Sequence, residues 1–177
     1  MAEFEVFKEL KDFYRIIPLQ KLRRTPGVFF DNVPMACLPR IDAIDRVLHE
    51  KSAVSPGPVG EVPRPWYMHP HQADNLLVLC GTRQVDLYVA EHGLLSFTVT
   101  ANRIMQGETL LLDEPAMLVW PCRVFHRIVS GPEGSVSLNF AVHYDGFDLR
   151  TNFNIHDLDL ATGVYRVIRE GFRDQGM

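Results

Sequence analysis

Three runs of the chain alternate apolar residues with smaller or more polar ones. Val85, Leu87 and Val89 alternate with Gln84, Asp86 and Tyr88. Leu95, Phe97 and Val99 alternate with Ser96, Thr98 and Thr100. Val136, Leu138, Phe140 and Val142 alternate with Ser137, Asn139, Ala141 and His143. A period of two sends the two sets to opposite faces of an extended chain, and a helix cannot satisfy it. Glu91-His92-Gly93, Gln106-Gly107 and Gly131-Pro132-Glu133-Gly134 supply turns beside these runs. Strands of about five to seven residues with a turn every eight to twelve predict an all-β sandwich or barrel.

The flanks are less regular. Phe4, Phe7, Leu10 and Tyr14 recur at helix-like spacing and predict one short N-terminal helix. Pro18 and Pro26-Gly27 punctuate the next segment, and Val28-Phe29-Phe30 reads as a short strand. Residues 40–51 fit either a helix face, through Ile41, Ile44 and Leu48, or a strand. Residues 55–60 form a loop, and Pro63 and Pro65 keep the chain extended up to the pair His69 and His71. In the more polar tail, 152–158 reads as extended and Val164–Ile168 as a further strand.

The chemistry concentrates in two places. His69 and His71 lie one residue apart, ahead of the apolar run Leu76-Leu77-Val78-Leu79-Cys80 and Gly81. On a strand, residues i and i+2 share a face, so both imidazoles could meet one metal ion. His126 stands in a second apolar stretch, five residues after Pro121. If the two strands face each other, the three histidines converge inside the barrel.

These stretches resemble the two motifs of the cupin superfamily. The first has a His-x-His pair, an acidic residue, an apolar strand and a glycine. The second has a proline followed five residues later by a third metal-binding histidine. The resemblance covers about residues 61–145. It implies a cupin-type jelly-roll β-barrel over 61–145, an N-terminal arm over 1–60 and a C-terminal extension over 146–177. It favours the strand reading of 40–51. It also implies a homodimer formed through sheet edges, because a bare edge must be paired or covered.

The resemblance implies a metal centre at His69, His71 and His126, holding one divalent transition metal (Fe, Mn, Ni, Cu or Zn). Three departures stand out. Asp74 takes roughly the place of the motif's glutamate, which leaves it three roles: fourth ligand, partner of an imidazole, or turn residue. Arg123 stands where the second motif usually has glycine, and Ser130 where it often ends in asparagine. Gln72, Arg64, Tyr67, Asn139 and His143 are the candidate pocket residues, with Arg64 placed to pair with a substrate carboxylate. The face carrying Asn139 and His143 lines the pocket or forms the wet side of the sheet. Met117 and Trp120 are expected in the core, and Cys80 and Cys122 are expected as buried thiols.

Several functions remain open on these residues. A three-histidine iron centre resembles cupin dioxygenases, and the same site with another metal suits isomerisation or hydrolysis of a small, anionic molecule. A binding cupin without turnover, or a barrel with a vestigial site, are the alternatives. Other classes are disfavoured. The net charge of −4 without a basic stripe argues against nucleic acid and anionic membrane. No Walker loop or Gly-x-Ser-x-Gly elbow is present. Three cysteines imply no disulfide framework, and the N-terminal residues do not read as a signal peptide, so a cytoplasmic location is expected.

Overall fold

The computed structural model describes residues 6–176. The chain opens with β1 (Lys8–Leu10), β2 (Tyr14–Pro18) and the hairpin β3 (Gln20–Thr25)–β4 (Val28–Asn32). Next come β5 (Ala43–His49), β6 (Val54–Ser55), β7 (Trp66–Met68) and the long β8 (Gln72–Val89). A meander comes after it: β9 (Gly93–Thr100), β10 (Arg103–Gln106), β11 (Thr109–Leu112) and β12 (Ala116–Trp120). The second long strand, β13 (Phe125–His143), leads to one helical turn, α1 (Leu149–Asn152), and then to β14 (Ile155–Leu158) and β15 (Tyr165–Arg169).

β8 and β13 pair antiparallel from Tyr88–Phe125 to Gln72–His143, with the register broken between Ser130 and Ser135. Gly81 sits at that break with φ of +74°, and a Cβ there would lie 2.0 Å from the carbonyl oxygen of Gly134. Only glycine meets both conditions. Beyond the break each long strand acquires new neighbours. The first half of β8 pairs with β12, and β12 with β2. Its second half pairs with β9, which continues into β10 and β11. β13 pairs with β7 and β6 before the break and with β5 after it. β14 adds to β7, and β15 to β14.

The sheet therefore folds over on itself. Leu76, Val78, Ile16 and Leu118 from one side pack with Val85, Leu87, Phe97, Val99 and Ile104 from the other in a single apolar cluster. Met117 and Trp120 are buried as expected. A second cluster lies on the outer face of the β2–β12–β8 layer. There Ile17, Leu77, Met117, Val119 and Phe140 are covered by Leu38, with Val33, Cys37 and Ile41 beside it. Burying Leu38 is worth about 2 kcal/mol.

The expected N-terminal helix is absent among the described residues, and Phe4 lies outside them. β1 and β2 form a hairpin in which Leu10 opposes Tyr14. Ile16 and Ile17 complete the edge of β12, and that pairing outweighs the local spacing of Phe7, Leu10 and Tyr14. Segment 40–51 supplies a strand, β5. The cysteines also differ from expectation: Cys80 is exposed and Cys122 half-buried in a turn. Cys80 directly precedes the break at Gly81, where the side-chain alternation of β8 is interrupted.

Gly81→Ala tests the bend. The variant is expected to lose at least about 2 kcal/mol of stability, read as a lower urea midpoint, because strain at positive φ adds to a backbone clash.

Candidate functional site

The long strands alternate, and their inward sets meet in one cavity of about 290 Å3. β8 contributes Gln72, Asp74 and Leu76, and beyond the bend Arg83. β13 contributes His126, Ile128, Ser137 and Asn139. Asp45, Val47 and His49 come from β5, Ser55 from β6, and Tyr67, His69, Trp120 and Phe153 complete the wall.

At one pole three ligating groups converge. His69, Asp74 and His126 are all buried, each with a ligating atom within 4.8 Å of the others'. His69 Nε2 lies 3.4 Å and His126 Nε2 3.9 Å from Asp74 Oδ2. The far side of each imidazole faces a backbone carbonyl. His69 Nδ1 donates to the Asn152 oxygen at 2.5 Å, and His126 Nδ1 to the Val124 oxygen at 3.2 Å. Burial, reinforced by His69, pushes His126 down to about 4, so it is neutral at pH 7 and its contact with Asp74 is no ion pair. Its proton sits on Nδ1 and its Nε2 lone pair points inward. Asp74 is oriented as well: Oδ1 accepts from Gln72 Nε2 at 2.8 Å and from Asn139 Nδ2 at 2.7 Å. Gln72 is held in turn by Asn152 Nδ2 at 2.9 Å.

This donor set fits a divalent transition metal. Two atoms about 2.1 Å from one ion lie roughly 3.0–3.4 Å apart at octahedral to tetrahedral angles. The two histidine–aspartate spacings, 3.4 and 3.9 Å, lie at or near the upper end of that range, and the two imidazoles come within 4.8 Å of each other. Imidazoles tied at Nδ1 and a carboxylate tied at its other oxygen are the usual support of such ligands.

The structure separates His71 from this group. β7 ends at Met68 and β8 begins at Gln72, so the residues between, with Pro70 among them, do not form the strand that the i, i+2 argument requires. The His71 ring packs near Gly146, its carbonyl accepts from Tyr144 N, and it does not line the cavity. Asp74, two residues into β8, faces inward in its stead. Of the pocket candidates, Gln72, Tyr67 and Asn139 line the cavity, so the Asn139 face is the inner one. His143 instead stacks on Phe147 at 3.6 Å. Arg64 lies outside the lining, 3.9 Å from Asp86.

The second pole escaped the sequence reading. Arg83 is 1% exposed; its Nε donates to Ser135 Oγ at 3.0 Å and an Nη2 proton goes to the Val47 carbonyl at 3.2 Å. Burial lowers it to about 10, so it remains a cation at neutral pH. Ser135 Oγ is 2.8 Å from Ser130 Oγ, which is 2.9 Å from His49 Nδ1. Burial and the Arg83 charge push His49 down to about 4. Arg83 was detectable: extending the Val85–Leu87 alternation back by two residues puts a charge on the apolar face.

No family model and no curated protein matches the chain. Solved structures do match. A sugar 3,4-ketoisomerase from Thermoanaerobacterium thermosaccharolyticum, QdtA, determined with TDP, superposes with a TM-score of 0.54 at 15% identity, over 78% of this chain and 85% of that one. The WlaRB TDP-quinovose 3,4-ketoisomerase from Campylobacter jejuni gives 0.52 at 14% identity, over 78% and 89%. The fold is a cupin-like jelly roll. At such identities the likeness establishes the fold. No helix among the described residues is long and apolar enough to cross a membrane.

The neutral histidines predict a pH response. The unfolded chain takes up protons near pH 6.5, whereas the fold keeps His49 and His126 neutral down to about 4. Their contribution is present in full above about pH 6.5 and is lost as the pH falls towards 4. In EDTA, urea midpoints are expected to drop between pH 7.5 and 5, and His49→Gln to make that drop shallower.

Proposed function

We propose that the protein is a metal-assisted isomerase of a small hydroxycarbonyl compound, held in the cavity between β5, β8 and β13. The observation that carries this reading is the convergence of His69 Nε2, His126 Nε2 and Asp74 Oδ2 in a buried pocket, with their outer atoms already engaged. The fold shared with 3,4-ketoisomerases supports the reaction class, which exchanges a carbonyl with the hydroxyl on the neighbouring carbon.

His69, His126 and Asp74 would hold the ion, and a bound divalent metal would polarise a substrate carbonyl and acidify the adjacent C–H. The remaining lining serves the same reaction. Trp120, Leu76, Ile128 and Phe153 exclude bulk water and strengthen every charge interaction inside. His49, an uncharged imidazole, lines the opposite pole of the cavity on the side of Arg83. Ser130, bonded to His49 Nδ1, fixes the ring.

The donor set itself favours one second reading. Two histidines and one carboxylate also suit non-haem iron that activates oxygen. Metal identity and oxygen uptake separate the two.

Elemental analysis of protein purified without chelator is expected to find about one equivalent of Fe, Mn, Ni, Cu or Zn. Asp74→Ala and His126→Ala should each lower it at least tenfold, while His71→Ala leaves it unchanged. Full occupancy in Asp74→Ala would exclude this ligand set. Oxygen consumption on turnover would favour the oxygenase.

A further inference from the structure

The second pole of the cavity holds a charge that the protein does not neutralise. Arg83 is 1% exposed, yet among the described residues no carboxylate comes within 4.0 Å of it. A guanidinium carries five N–H donors, and here two hydrogen bonds go to Ser135 and Val47. Three N–H groups are left. Asp45 shares the inward face of β5 with Val47 but accepts from Asn139 Nδ2 at 3.1 Å instead. A cation buried this deeply without a counter-charge is unfavourable, so its retention favours a partner that arrives from outside. Two further groups lack partners in the same cavity: Ser137 Oγ and Trp120 Nε1 are buried without a hydrogen bond.

We infer that Arg83 anchors the carboxylate of the substrate, which makes the ligand a small hydroxy- or keto-carboxylate with its reactive carbons towards His69, Asp74 and His126. One positive charge with three free N–H groups matches a monoanion accepting two parallel hydrogen bonds. A phosphate dianion fits less well, because Asp45 and Asp74 line the same space. The cavity volume of about 290 Å3 suits a small acid. Arg83 thus takes the role expected of Arg64, which lies outside the cavity lining. The inference rests on the proposed function only in taking this cavity as the substrate site.

Calorimetric titration of the full chain in EDTA tests it, since carboxylates then have no metal to bind. The probes are pyruvate, glycerate and gluconate, set against the uncharged methyl pyruvate, glycerol and glucose. At least one carboxylate should bind with a stoichiometry near one, its neutral counterpart at least tenfold more weakly. Arg83→Met should weaken carboxylate binding at least tenfold, with metal content and melting temperature no lower than wild type, and Arg83→Lys should recover part of the binding. The anchor is overturned if no carboxylate binds wild-type protein, if the neutral counterpart binds equally well, or if Arg83→Met binds unchanged. A lower melting temperature in Arg83→Met would make the arginine a clamp between strands and overturn it too. Failure of the metal-site reading looks different: Asp74→Ala would keep its metal while the carboxylate results stand.

Discussion

The pairing of β8 with β13 across the bend at Gly81 is what the rest of the molecule depends on. Two strands of 18 and 19 residues would be too long for a small twisted sheet if they stayed straight. Bending both at one place lets each serve two walls. The same bend determines which residues face inward: Asp74 and Leu76 before it, Arg83, Val85 and Leu87 after it. β8 therefore contributes to both poles of the cavity, Asp74 to one and Arg83 to the other, on either side of a single glycine.

Much of this was legible because period-two alternation is a local property. The runs at 84–89, 95–100 and 136–142 read directly as strands, and Gly81 read as the end of the first motif strand. His71 was misplaced for an equally local reason. The His-x-His argument assumes an extended chain through Pro70, whereas regular strand begins at Gln72. Whether a segment of three residues bends depends on what surrounds it, here Asn152 and Gly146, more than 70 residues away. Arg83, His49 and the backbone oxygen of Asn152 became site groups only through such distant contacts.

Arg123 shows how a turn can take a glycine-like shape without a glycine. Glycine is expected at that turn, and Arg123 adopts the conformation glycine would supply, with φ of +68°. The left-handed region costs a non-glycine residue about 1–2 kcal/mol. Its amide donates to the His69 carbonyl at 2.7 Å, so the strained turn ties the two motif segments together just before His126 enters β13. Relieving the strain by another backbone path would move that amide, and with it the spacing between His69 and His126.

The segments outside the motifs are part of the site as well. β5 builds the wall carrying Asp45, Val47 and His49, and its Val47 carbonyl accepts from Arg83. The tail does more. The Asn152 carbonyl fixes the His69 tautomer, its side-chain amide holds Gln72, and Phe153 packs edge-on to His69 at 5.2 Å. Asn152 ends α1, whose first turn is capped by the Asp148 side chain accepting from Arg150 N at 2.9 Å, and the chain then enters β14, which pairs with β7 beside Trp66 and Tyr67. In the neutral form of a histidine whose Nδ1 proton is held in this way, the lone pair is on Nε2, the atom that faces the cavity. Residues 61–145 alone would contain His69, Asp74 and His126 but would leave His69 free to choose its tautomer. The ordering of the tail against β7 is thus coupled to the chemistry of the site.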